Sequence, residues 1–138
     1  MAENKTKPTK VSVAEFLKRK ATAQQLADSR ELVTLFREIT GKPAKMWGPS
    51  IVGFGSYHYI YESGRQGDAP LLGFSPRKPK LVLYLSCRDA GMKRKLGRHE
   101  SRGGCMYIST LDDLDREVLR KLATASVAEL RKRYPPRA

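Results

Sequence analysis

Three tyrosines at every second position, Tyr57, Tyr59 and Tyr61, stand in the stretch of this chain richest in aromatic side chains. Alternation along a strand puts them on one face and His58, Ile60 and Glu62 on the other. Trp47, the single tryptophan, lies a little upstream. Arg65, Arg77 and Lys78 fall on expected loops at the ends of the strands that carry the rings. Rings beside guanidinium groups can stack on a base or hold a phosphate or a carboxylate. We therefore read Trp47, Tyr57, Tyr59, Tyr61, Arg65, Arg77 and Lys78 as a ligand-binding set. The alternative is that the rings pack under helices and the cations are simply solvated.

Four further residues carry secondary readings: His58, Arg98, His99 and Cys105. His58, beside Ile60 and opposite the tyrosine face, reads as a hydrogen-bonded structural histidine or as a ligand. Arg98 and His99 sit in a basic loop, where solvation and phosphate contact are both open. Cys105 follows Gly103-Gly104 near basic residues, which favours the thiolate, but it also opens a strand, where a small buried side chain fits. The acids Asp112, Asp113, Asp115 and Glu117 are explained by a helix N-terminus without any metal. No nucleophile–base pair, phosphate-binding P-loop or dinucleotide fingerprint is present, and Gly53-Phe54-Gly55 has no following helix. The expectation is a binding protein rather than an enzyme, with no cofactor.

Charge points the same way. The chain has 138 residues, 27 Lys and Arg against 14 Asp and Glu, and a net charge of +13. Residues 77–102 hold nine basic and two acidic groups, while residues 21–76, which include the rings, balance to zero. Clustered cations attract polyanions, nucleic acid among them, and they also keep a protein soluble. The two cysteines, Cys87 and Cys105, have neither C-x-x-C nor zinc-ligand spacing, so we expect reduced thiols in a cytoplasmic protein. No apolar run approaches the ~20 residues that span a bilayer, and we see no signal peptide, so no membrane partner is expected.

The elements that must position these residues follow from period and punctuation. A polar, lysine-rich tail is expected over 1–10, a single domain over 11–134 and a flexible end over 135–138. Ser12 and Glu15 form a capping box, with Val11 and Phe16 at staple positions. Asp28 is expected to cap a second helix through Leu32, Leu35, Phe36 and Ile39, closed by Gly41 and Pro43. The period then changes to two: a strand or bend at 51–54 with Gly53 and Gly55 marking a bulge or a close backbone approach, a strand at 57–62, a polar loop at 63–68 and a strand near 71–74. The apolar run Leu81 to Leu85 reads as a central strand and Cys105 to Ile108 as the last. Met92 and Leu96 suggest a short helix. A long one from about Asp112 to Arg133 buries Leu119, Leu122, Ala123, Ser126, Val127 and Leu130. Short links imply antiparallel neighbours, hence an α+β fold with four to five strands and helices on one face.

The string Met-Trp-Gly-Pro-Ser-Ile-Val-Gly-Phe-Gly at 46–55 resembles the bacterial YdhG-like domain family. So do Tyr57-His58-Tyr59, Tyr61-Glu62-Ser63-Gly64-Arg65, the 73–78 segment, Leu96-Gly97-Arg98-His99 and Cys105-Met106-Tyr107-Ile108. The likeness covers roughly residues 27–133 and implies a small α+β domain. Part of that family is described as frataxin-like intracellular iron chaperones, so the resemblance also implies iron as an alternative ligand. A chain at +13 repels ferrous ion at long range. A third reading takes the Tyr57/Tyr59/Tyr61 face as a protein-interaction surface.

Overall fold

The structure is a computed structural model that describes residues 8–85, 90–102 and 105–135. It is α+β, as the punctuation implies. Helix α1 (Val13–Lys20) is capped by Ser12, whose Oγ accepts from the Glu15 N–H at 3.2 Å. Phe16 is buried, but Val11 is 54% exposed, so the staple does not close. Helix α2 (Ala23–Thr40) starts earlier than expected, at a Thr22–Gln25 capping box rather than at Asp28. Asp28 caps a different element. Buried inside α2, it accepts from the Leu111 N–H at 3.1 Å and from Gln24 Nε2 at 3.0 Å. Gly41, at φ 71°, ends α2 as its position after the last apolar residue requires.

Seven strands form one antiparallel sheet: β1 (Pro8–Thr9), β2 (Ala44–Trp47), β3 (Ile51–Phe54), β6 (Leu72–Pro76), β7 (Leu81–Tyr84), β9 (Cys105–Ile108) and β8 (Glu100–Arg102), in that spatial order. The count of four to five is therefore too low. The extra strands are β1 and β8, short polar edges without a periodic signal, and β2, whose four residues are too few to show alternation; Pro8–Thr9 pairs with Met46 and Trp47, which removes those residues from the expected tail. Strands β4 (Tyr57–Ile60) and β5 (Gln66–Ala69) form a separate two-stranded ribbon. Gln66 to Asp68, expected as loop, are strand because each pairs across the ribbon. Leu81 to Tyr84 is central, between β6 and β9, as its unbroken apolar run demands.

Cross-strand partners share a face, so the register sorts the sheet. One transverse row runs Thr9, Met46, Val52, Phe74, Leu83, Met106 and Ser101. Its apolar members, with Phe54, Leu72, Leu81 and Ile108, form one core with the buried stripes of the helices. Helix α3 (Ala90–Leu96) supplies Leu96, and α4 (Arg116–Arg133) supplies all six expected inner residues. Asp115 caps α4 through the Glu117 and Val118 N–H groups. Asp112 and Asp113 lie just before it, in a short 3-10 turn at Leu111–Asp113, so the helix starts later than expected. The opposite face of the sheet contributes nothing to that core. Cys87, Gly103-Gly104 and Pro136 lie outside the described residues.

Candidate functional site

The ribbon carries the tyrosines. Tyr57 faces Ala69 and Tyr59 faces Gly67 across it, and such small partners cover little of the rings. A fourth ring, Tyr134, arrives from the end of α4 and stacks on Tyr57 at 5.1 Å between centroids and 25° between planes. Tyr57 then meets Tyr59 at 6.4 Å, and Tyr59 meets Tyr61 at 4.9 Å. The result is a ladder of rings from the body of the domain to the ribbon tip, half-buried at Tyr57 and 50% exposed at Tyr61. The Arg133 guanidinium lies 5.7 Å from the Tyr134 ring centroid, within cation–π range. Burial, reinforced by the neighbouring phenols Tyr61, Tyr134 and Tyr59, holds the Tyr57 hydroxyl above the usual tyrosine pKa, against the pull of Arg133.

At the buried end of the ladder is a hollow of about 580 Å³, within the range of small-molecule sites. Tyr57, Tyr134 and Trp47 supply its rings; Lys42, Lys45 and Arg131 supply cations; His58 and Asp68 complete one side. Trp47 is only 2% exposed, with its indole against Gly53. A Cβ on Gly53 would come 2.4 Å from Trp47 Cδ1 and 2.8 Å from Pro70 Cβ, so the close approach expected there is to the tryptophan. Arg131 is held by a bond from Nη2 to the Thr40 carbonyl at 3.2 Å, at the negative end of α2. His58 places Nδ1 2.9 Å from Asp68 Oδ1 and Nε2 2.9 Å from Gln66 Oε1. Both ring nitrogens are within hydrogen-bond distance of a β5 side chain, so the imidazole is braced across the ribbon.

The structure thus brings together Trp47, Tyr57 and His58 of the expected set, and extends from Tyr57 to Tyr59 and Tyr61 along the ladder. The expected cations do not join them in the hollow. Arg65 sits in the ribbon turn, where its carbonyl accepts from the Tyr61 N–H. Arg77 donates from Nη2 to the Tyr84 hydroxyl at 3.0 Å, and the exposed Lys78 follows it. Neither Arg77 nor Lys78 lines the hollow. Arg98 is exposed, and His99 donates from Nδ1 to the Gly97 carbonyl at 2.8 Å. Cys105 is half-buried on β9, opposite Tyr84 and Arg102 in the register. Lys42, Lys45, Arg131 and Tyr134 are the residues that sequence reasoning missed. Nothing in the local pattern ties the end of α4 to a strand that far upstream; the basic run before Tyr134 was legible only as a helix end.

Comparison with family models, with curated proteins and with solved structures gives no match for this chain. Its chemistry must be argued from its own geometry.

Proposed function

We propose that this chain is a non-enzymatic binding module for an anionic, phosphate-bearing ligand seated in the hollow between the ribbon and α4. The observation that carries the reading is the convergence of three rings with Lys42, Lys45 and Arg131 on one concavity where, among the described residues, Asp68 is the one carboxylate. A planar group would stack against Tyr134 and Tyr57 while the cations take the phosphate, charge-assisted bonds being the stronger kind. A cytoplasmic setting suits such a ligand. Likeness to the YdhG-like family stays part of this proposal, as does its iron-chaperone alternative. Among the described residues no group of three or more His, Cys, Asp or Glu side chains is placed to hold a metal, which gives that alternative no support beyond the resemblance.

The test is calorimetric titration at low salt with adenosine triphosphate and with inorganic phosphate, Trp47 emission serving as a second readout. Adenosine triphosphate should bind with a Kd well below about 1 mM and phosphate more weakly, since it lacks a ring to stack. Arg131→Gln should weaken binding by about tenfold or more, the cost of a charge-assisted bond. No binding at millimolar probe, or binding indifferent to Arg131→Gln and Tyr134→Ala, would sink the reading.

A further inference from the structure

The face of the sheet that points away from the helices has its own composition. One transverse row reads Lys45, Gly53, Gly73, Tyr84, Cys105 and Arg102. The neighbouring row includes Ser75, Val82 and Tyr107. No residue of either row belongs to the core shared with the helices. Tyr84 and Tyr107 stand on adjacent strands, each two residues along from the residue opposite the other, which places the rings on one face as diagonal neighbours about 7–8 Å apart at the backbone. Both are half-buried. Each is also attached to a guanidinium: Arg77 donates to the Tyr84 hydroxyl, and the Arg102 carbon lies 5.4 Å from the Tyr107 ring centroid. Lys80, bonded to Ser109 Oγ at 3.0 Å, adds a third cation beside them.

We propose that this helix-free face binds single-stranded nucleic acid, with successive bases stacked on Tyr84 and Tyr107 and the backbone phosphates drawn to Arg77, Arg102 and Lys80. Charge complementarity selects this occupant. Glu100, paired with Arg102 at 3.2 Å, is the acidic side chain on these two rows, against the three cations and the +13 of the whole chain. Ring pairs on adjacent strands of a sheet are a geometry that stacks two or three unpaired bases, and such stacking tolerates any sequence. A duplex hides its base faces and offers the rings nothing. Lys45 and Gly53, at the far end of the first row, line the hollow, but Tyr84, Tyr107, Arg77, Arg102 and Lys80 do not, so the proposal stands or falls separately from the small-ligand reading.

The experiment is fluorescence anisotropy with a labelled oligothymidine or oligouridine, repeated with a duplex of equal length and over a series of salt concentrations. The single strand should bind more tightly than the duplex. Tyr107→Leu and Tyr84→Leu should each weaken it by about 5- to 150-fold, the range for loss of one stacked base, while Tyr107→Phe, which keeps a ring, should bind like the parent. Arg102→Gln should lower the slope of log affinity against log salt by about 0.7, one phosphate contact on a single strand. If the leucine variants bind like the parent, or the duplex binds as tightly as the single strand, the cations act without the rings and the proposal is overturned. The phenylalanine and glutamine variants decide the matter even where a leucine variant fails to fold.

Discussion

Gly53 and Asp28 show how much a single residue depends on a neighbour far away in the chain. Gly53→Ala would drive a methyl into the Trp47 indole, itself wedged against the sheet. The expected cost is about 1–3 kcal/mol in urea unfolding, with a shift in tryptophan emission, as for other overpacked sites. Asp28→Ala leaves the Leu111 N–H without its buried acceptor and should cost about 1–3 kcal/mol. Tyr57 and Tyr84 supply a pH test. Both phenols have pKa values raised above 10.0, in each case chiefly by burial; Arg77 pulls Tyr84 back in part. In the unfolded chain these groups lose their protons first, so above about pH 10 the native state binds more protons and stability falls as pH rises. Below that pH their contribution is complete. Tyrosinate absorbance should show Tyr57 and Tyr84 titrating above the usual tyrosine range, and alkaline unfolding should set in earlier for the parent than for Tyr57→Phe.

Between elements, the question is what fixes α4 against α2, because that seating brings Tyr134 to Tyr57. Arg116 bridges from α4 to Glu31 of α2 through Nε and Nη2, and also reaches Asp112 at 3.0 Å. These carboxylates raise its pKa further above neutrality, so it is charged throughout the accessible range. Yet the pair is close to half exposed, and exposed ion pairs contribute at most about 1 kcal/mol. The apolar seam of Leu119, Leu122 and Val127 outweighs it, since truncating one buried leucine costs about 2–5 kcal/mol. Arg116→Ala should therefore lower stability by less than about 1 kcal/mol and Leu122→Ala by several times as much, measured by chemical denaturation. Elements of this kind were legible where apolar period and caps coincide: the stripe of α4 and the central strand at Leu81 needed nothing else. The starts of α2 and α4 were misplaced because an acid near a helix signals a cap without saying for which turn. The ribbon was half seen, since Gln66-Gly67-Asp68 is strand only by virtue of its partner.

For the molecule as a whole, a net charge of +13 on 138 residues sets self-repulsion against a few exposed ion pairs. Repulsion among many like charges is the larger effect and is screened over about 10 Å at 0.1 M salt. The melting temperature should therefore rise from low salt to about 0.2 M; a fall would mean that the Arg116–Glu31 and Arg120–Glu38 bridges dominate.

By itself the sequence determined the class of fold, the alternation that lines up Tyr57, Tyr59 and Tyr61, and the surplus of positive charge. These depend only on local period, steric punctuation and composition. Tertiary structure alone decided which cations meet which rings. Arg131 and Tyr134 reach the ribbon because α4 packs across α2, while Arg77 and Arg102 reach Tyr84 and Tyr107 because register and strand order place them on one side of the sheet. Such meetings arise from long-range packing, and no spacing along a chain encodes them.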